Sequence, residues 1–267
     1  MKFAANTTLE IIHREPAGKA RPTPLLFVHG AYAGAWLWDK HYLPYFAEQG
    51  WQASAFSFSG HGGSRGGDVL NSLSLQDYVN DLAEVVAAMP RAPVVIAHSM
   101  GGVVLQKYLE DAELPGAVLL CSVPPQGLLG STLSLMFGRP NVLFDLNRII
   151  GGGEPQLDSV REALFHQPVS RALLHECFMH MQAESMRAIW DMSGFDLPRP
   201  ARMRRPPMLL LGAEHDALIP PQQVEQTGKA LHLPVEIIPN AGHALMLEPD
   251  WQPAAQRIAD WLKQQGF

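Results

Sequence analysis

The run Val94-Val95-Ile96-Ala97-His98-Ser99-Met100-Gly101-Gly102 joins an apolar, strand-like segment to the helical pattern of Val103 to Glu110. Small residues stand two positions before and two positions after its serine, at Ala97 and Gly101. That spacing has a physical cause. A strand-to-helix turn sharp enough to push a serine out at its apex crowds the flanking backbone, so only small side chains fit beside it. The helix that follows aims its free amides and the positive end of its dipole at charge developing next to Ser99. A short Gly-x-Ser-like string is common by chance; the strand-turn-helix context is what makes Ser99 the candidate nucleophile.

Outward from this turn, short apolar runs alternate with helical patterns. The runs are Leu25 to Val28, Ala53 to Phe58, Val94 to Ala97, Ala117 to Cys121, Met208 to Leu211 and Val235 to Ile238. Such alternation predicts an α/β fold, a mainly parallel central sheet with helices on both faces. From Ser74 to Met89, the residues Tyr78, Leu82, Val85, Val86 and Met89 form one helical stripe, and Ser74 with Asp77 has the spacing of a capping box. A last helix is expected from about Pro253 to Lys263. The stretch 124–207 breaks the rhythm: it is rich in Leu, Met, His and Arg and is punctuated by Gly151, Gly152, Gly153, Pro155, Pro168 and Pro198. A structureless loop of that length does not suit a compact domain, so the stretch reads as an inserted helical lid (cap), with 1–123 and 208–267 as the core domain.

With 267 residues, 47% of them hydrophobic, the chain can bury a large core as one domain with an insertion. Its formal charge of −6 argues against nucleic acid as a partner, which calls for clustered Lys and Arg. The one dense basic run, Arg199, Arg202, Arg204 and Arg205, is interleaved with proline and reads as a solvated connector, a phosphate or anionic-lipid patch being the alternative. No apolar run has the length of a signal peptide core or a membrane span, so a soluble, cytoplasmic protein is expected. Cys121 and Cys177 are too few for a disulfide framework and read as packing residues.

Serine is a poor nucleophile at neutral pH and needs a base with a pKa near 7, for which histidine is suited, oriented by a carboxylate. On a scaffold of this kind the order is serine, acid, histidine. Asp216 follows the Met208 run in a loop ahead of Ile219-Pro220, and His243 follows the Val235 run in Asn240-Ala241-Gly242-His243. Glu214 rivals Asp216 for the acid, its other reading being a solvated loop residue. His175-Glu176-Cys177-Phe178-Met179-His180 lacks the His-Glu-x-x-His spacing of a zinc site, so neither a metal nor a cofactor is expected. Phe27-Val28-His29-Gly30-Ala31 ends the first parallel strand, where the Ala31 amide can face a substrate oxygen together with the Met100 amide.

Taken together, the residues resemble the α/β-hydrolase superfamily, in its capped esterase, lipase and carbon-carbon hydrolase branch. Five features carry the resemblance: His29-Gly30, the Gly60-His61-Gly62-Gly63-Ser64 turn, Ala97-His98-Ser99-Met100-Gly101, the Asp216 loop, and Gly242-His243 followed by Glu248-Pro249. They cover nearly the whole chain outside the insertion. Two departures stand out. Ala97 replaces the first glycine of the usual Gly-x-Ser-x-Gly turn, a variant that some lipase-like members share. Relatives often carry an acidic residue and an arginine before the Gly-x-Gly turn, where this chain has Ser57-Phe58-Ser59. The serine at the elbow separates the chain from the dehalogenase and epoxide-hydrolase branch, which uses aspartate there.

The resemblance implies a serine hydrolase acting on carboxylic esters of small to medium apolar acyl groups, lysophospholipid or monoacylglycerol being examples. Candidate pocket residues are His29, Gly30, Trp36, His98, Met136, Phe137, Met186 and Trp190, the methionines and aromatics of the insertion offering an adaptable apolar wall or simply packing its helices. Two other classes stay open: a carbon-carbon hydrolase, lyase or perhydrolase on the same triad, and a ligand receptor without turnover. Whether the chain is a monomer or a homodimer is not legible.

Overall fold

A computed structural model describes residues 8–150 and 156–267, apart from the side chains of Ser134, Phe137, Leu146, Asn147, Ile149 and Ile150. Gly151, Gly152, Gly153 and Pro155 of the insertion therefore lie outside the described residues. Among the described residues, seven strands form one sheet: β1 (Ile11–Arg14), β2 (Leu25–Val28), β3 (Ala53–Phe56), β4 (Val94–His98), β5 (Gly116–Leu120), β6 (Met208–Ala213) and β7 (Val235–Ile238). Their order across the sheet is β1-β3-β2-β4-β5-β6-β7. Strand β1 runs antiparallel to β3, and every other pair is parallel. This is the mainly parallel sheet that the alternation of runs and helical patterns predicts, and the α/β-hydrolase fold that the resemblance implies.

The central strands are buried on both faces, which explains their continuous apolar runs. Side chains alternate between two cores. Leu25, Phe27, Val94 and Ile96 join one, while Leu26, Val28, Val95 and Ala97 join the other. The first core takes in the faces of α1 (Trp36–Asp39), α2 (Tyr42–Glu48) and the C-terminal helix Gln252–Gln264, through Trp38, Tyr42, Phe46, Ile258 and Leu262. The second takes in α3 (Leu75–Ala88) and α4 (Met100–Asp111), through Tyr78, Leu82, Val103 and Val104. Ser74 caps α3 with a capping box: its hydroxyl accepts the Asp77 amide at 3.2 Å, and the Asp77 carboxylate accepts the Ser74 amide at 2.7 Å.

Two differences from the sequence reading have physical causes. The run Ala53 to Phe58 was expected as one strand, but β3 stops at Phe56. There the Ser57 amide still meets the Glu10 carbonyl at 3.0 Å in the β1 register, but the Glu10 amide turns to Ser64 Oγ at 2.9 Å and the Phe58 amide to a ring nitrogen of His29 at 3.0 Å, so the ladder ends. Strand β1 was not expected at all. Its Ile-Ile-His-Arg sequence is only half-buried at the sheet edge, and four residues are too few to show a period.

Between β5 and β6, within the stretch read as an insertion, the described residues form five helices: α5 (Leu129–Gly138), α6 (Pro140–Ile150), α7 (Leu157–Leu164), α8 (Arg171–His180) and α9 (Met186–Trp190). A π-helical turn, Asp191–Phe195, follows α9 directly. The remaining helices are α10 (Pro221–Leu231), packed beside β6, and α11, the C-terminal helix named above. Buried carboxylates fasten this helical segment to the sheet domain. Glu248 accepts the amides of Gly242 at 2.9 Å and His166 at 2.7 Å, and Asp191 accepts the Leu75 amide at the start of α3 at 3.0 Å. Among the described residues, no helix is long and apolar enough to cross a membrane.

Candidate active site

Ser99 stands between β4 and α4 with φ 52° and ψ −117°, a conformation that L residues seldom adopt. The turn is held from both sides. Its amide donates to the Leu120 carbonyl at 3.1 Å, and its carbonyl accepts the amides of Gly102 at 3.0 Å and Val123 at 3.1 Å. The two glycines that follow have no room for a side chain: a Cβ at Gly101 would stand 2.5 Å from the His29 carbonyl oxygen, and one at Gly102 would stand 2.2 Å from Ser122 Oγ. Position 97 differs, because its methyl points into the second core and is fully buried there. The missing first glycine is thus compatible with the turn. A Cβ at Gly30 would lie 2.8 Å from Ser99 Cβ, so the end of β2 passes directly beside the serine.

The carboxylate that reaches His243 belongs to Asp216. Its two oxygens lie 2.8 and 3.0 Å from Nδ1 of His243, and both side chains are buried. The Leu218 and Ile219 amides donate to the same carboxylate, each at 2.8 Å, which fixes its orientation in the loop after β6. Nδ1–H of His243 therefore donates to Asp216, and Nε2 is the nitrogen left to exchange a proton. Glu214 is about half exposed and accepts the Asn240 amide at 2.9 Å instead.

Two further histidines serve as supports. His98 donates from Nε2 to the His243 carbonyl at 3.0 Å, with the two rings 4.5 Å apart, so it holds the histidine loop from beneath. Burial, reinforced by neighbouring His243, pushes its pKa well below the ordinary histidine value. His29 is also fully buried: Nδ1 donates to the Gly30 carbonyl at 2.7 Å and Nε2 accepts the Phe58 amide at 3.0 Å. Burial, followed by the charge of His61, lowers its pKa to about 3. The serines that replace the acidic residue and arginine are occupied too. Ser59 donates its amide and hydroxyl to Asp81 at 2.7 and 2.8 Å, and Ser57 Oγ accepts the Ala35 amide at 2.9 Å.

Ser99, His243, Ala31 and Met100 line one cavity of about 480 Å³, whose far walls are mostly apolar side chains of the helical segment. Of the pocket residues expected from sequence, Gly30, Trp36, His98 and Met136 line it. His29 does not, because it lies beneath the loop with both ring nitrogens engaged. Met186 and Trp190 do not either: spaced four apart, they share the outward face of α9, and Trp190 packs on Phe195 at the surface. Ile189 and Met192 supply the inward face instead. The side chain of Phe137 lies outside the described residues. Val160 of α7 and the loop residues Leu128, Leu218 and Leu247 also line the cavity and were not singled out from sequence; the turning of a helix face in one case and the path of loops in the others decide this, and both are set by packing.

His98, Cys121 and His243 bring potential metal-ligand atoms within 4.8 Å of one another. His243 Nδ1 is engaged by Asp216, His98 Nε2 by the His243 carbonyl, and the Cys121 thiol by Asp216.

A serine on a strand-to-helix elbow, a histidine after the last strand and an aspartate after the strand before it define the arrangement of an α/β hydrolase. The chain belongs to the alpha/beta hydrolase family, whose profile matches residues 25–255. Among curated proteins, none matches the chain in sequence. Solved structures with the same fold include an esterase from Thermogutta terrifontis, at 18% identity and TM-score 0.72, covering 97% of this chain and 94% of that one. An esterase from Exiguobacterium antarcticum has 15% identity and TM-score 0.72, covering 96% of each chain. A monoacylglycerol lipase from Paleococcus ferrophilus has 17% identity and TM-score 0.70, covering 96% of this chain and 99% of that one.

Proposed function

We propose that this protein is a serine hydrolase that cleaves carboxylic esters of small to medium apolar acyl groups through an acyl-serine intermediate. The observation that carries the reading is the shared cavity: Ser99 at its strained elbow and His243, bonded to Asp216, open on the same apolar space. In the proposed cycle, Ser99 Oγ attacks the ester carbonyl while His243 Nε2 takes its proton. The amides of Ala31 and Met100 bind the oxyanion, each such donor being worth roughly 2.7–4 kcal/mol in the transition state. Collapse of the tetrahedral intermediate releases the alcohol, which leaves with the proton from His243. Water then attacks the acyl-enzyme with His243 as base, and Ser99 is restored. The cycle draws on groups of the chain and water alone.

The five helices between β5 and β6 act in this reading as the lid, and their apolar side chains receive the acyl group. A cavity of about 480 Å³ falls in the range of roughly 300–1,000 Å³ usual for small-molecule sites. The neighbouring esterases and the monoacylglycerol lipase support ester cleavage on this fold.

Hydrolysis of chromogenic esters of graded acyl length, by the wild type and by Ser99→Ala, tests the proposal. Chain-length-dependent turnover that disappears in Ser99→Ala is expected. Turnover surviving in Ser99→Ala refutes the serine mechanism. No turnover of any ester refutes the ester reading and moves the site to carbon-carbon cleavage or to ligand reception.

A further inference from the structure

One carboxylate of the helical segment reaches into the loop that carries the Ala31 amide. Glu184, in the connection from α8 to α9, is fully buried. One of its oxygens accepts the Tyr32 amide at 3.3 Å and lies 3.1 Å from His61 Nε2. The other accepts the Tyr78 hydroxyl and the Ser185 amide, each at 2.7 Å. Two residues earlier, the Gln182 amide donates to the Tyr32 carbonyl at 3.2 Å, and the Gln182 side chain clasps Gly60 and Gly62 at 2.6 and 2.8 Å. Both backbone polar groups of Tyr32 are thus held by residues 182–184. Tyr32 has φ 63°, a conformation that a bulky residue keeps only where its surroundings enforce it.

We propose that Glu184 is a positioning residue for the oxyanion site: by gripping the Tyr32 amide it fixes the peptide that follows Ala31, and so keeps the Ala31 amide directed at the substrate oxygen. The inference rests on the hydrolase reading above. It also makes assembly of the oxyanion site depend on the seating of the helical segment. The Gly30-Ala31 peptide is held at its carbonyl by the His29 ring at 2.7 Å, and the clamp on the Tyr32 amide restrains the backbone on the other side of Ala31.

The charge arrangement fits a clamp that must hold. A buried carboxylate needs a partner, and His61 is that partner. Burial pushes the His61 pKa down, but the charge and hydrogen bond of Glu184, the Ser59 carbonyl and Asp81 together more than reverse this and raise it. Burial pushes Glu184 up, and His61, Tyr78 and the Ser185 amide reverse that in turn and lower it. The other groups facing His61 are the Tyr78 ring at 5.7 Å and the neutral His29 ring at 5.2 Å. Asp81 is itself paired with Arg65 at 3.1 Å. Burial, with Glu184 nearby, raises the phenols of Tyr32 and Tyr78, so both stay neutral.

Four donors converge on Glu184, and a glutamine there can accept from only part of them, because its NH2 must face one pair. The test compares wild type, Glu184→Gln and Glu184→Ala in three measurements: kcat and KM for a chromogenic ester, affinity for a boronic acid that forms a tetrahedral serine adduct, and amide hydrogen exchange over residues 30–33. Loss of a whole oxyanion donor costs roughly 100- to 1,000-fold in kcat, and a loosened one is expected to cost about 10- to 100-fold. The expected result is that kcat and boronate affinity fall by the same factor, KM changes less than about twofold, and exchange over residues 30–33 speeds up. The wild-type rate should also decline as pH rises through the raised pKa of His61 and the clamp loses its charge pair, a decline that Glu184→Gln should lack. A lowered melting temperature with kcat and boronate affinity unchanged would overturn the proposal and leave Glu184 a structural residue. If the alanine variant does not fold, the near-isosteric glutamine variant decides. If the wild type turns over no ester, the hydrolase reading fails on its own account, and unchanged exchange over residues 30–33 in Glu184→Gln then overturns the clamp.

Discussion

His29 should make the protein lose stability on mild acidification by an amount that can be worked out in advance. Its ring is held in one neutral tautomer: Nδ1 donates to the Gly30 carbonyl, and Nε2 must keep a lone pair to accept the Phe58 amide. A second ring proton would point Nε2–H at another N–H in a fully buried site. The folded pKa is accordingly lowered to about 3 from the ordinary 6.5, by burial first and by the charge of His61 second. Because the folded value is depressed, the unfolded chain binds the extra proton below about pH 6.5 and the folded chain does not. The contribution is complete above that pH and is lost progressively as pH falls toward 3. Each pH unit in the window removes about 1.4 kcal/mol, so about 2 kcal/mol is lost between pH 6.5 and 5.0 from this residue alone. His29→Gln keeps an acceptor for the Phe58 amide and cannot titrate. Urea unfolding of both proteins at pH 7.5, 6.5, 5.8 and 5.0 isolates the contribution, since ionisations common to both cancel in the difference. The stability curves should converge by about 2 kcal/mol over the last 1.5 pH units. Parallel curves would refute the assignment of a neutral, locked ring.

Asp216→Asn should reduce kcat by about 10⁴-fold with the fold intact, while Glu214→Gln stays near wild type; the reverse pattern in ester hydrolysis would transfer the acid's role to Glu214. Gly102→Ala should destabilise by about 1–3 kcal/mol or more, because its methyl would meet Ser122 Oγ at 2.2 Å, whereas Gly67→Ala, with no atom within 4 Å, should stay within about 0.5 kcal/mol. Thermal melts of the pair check this, and equal melting temperatures would contradict the packing at the elbow. Ala163→Phe fills the wall of the cavity from α7 and should move the preferred ester toward shorter acyl chains; an unaltered chain-length profile would mean that the acyl group lies elsewhere.

Strands β2 to β6 were legible because each is a largely apolar run buried on both faces, a pattern that needs no tertiary information to recognise, while β7, a partly buried edge strand, showed itself by its β-branched Val235, Ile237 and Ile238. The elbow was legible for a related reason: Gly101 is a position where backbone meets backbone, and such crowding leaves its mark directly on residue size. Asp216 could be ranked over Glu214 by its place before Ile219, and it is the Ile219 amide, with that of Leu218, that orients the carboxylate. The rest depends on contacts between distant segments. Glu184 sits 152 residues from the amide it holds, and nothing near it in the chain distinguishes it from a surface glutamate. Met186 and Trp190 were misplaced for the same reason. Their apolar character is evident, but the direction in which α9 turns them is fixed by Ala188, which is fully buried on the opposite side.

Among the described residues, five other than glycine have positive φ, and three of them, Tyr32, Ser99 and Cys121, stand around the same cavity and its histidine. Each such conformation is less favourable than an ordinary one by about 1–3 kcal/mol, against a net stability for a typical domain of only about 5–15 kcal/mol. The site is therefore a loaded spring set in a stiff frame. Glycine at position 99 would relax the elbow and should leave a more heat-resistant but inert protein. The contacts of the turn, the Leu120 carbonyl and the Gly102 and Val123 amides, are what keep a serine where no serine would settle by itself.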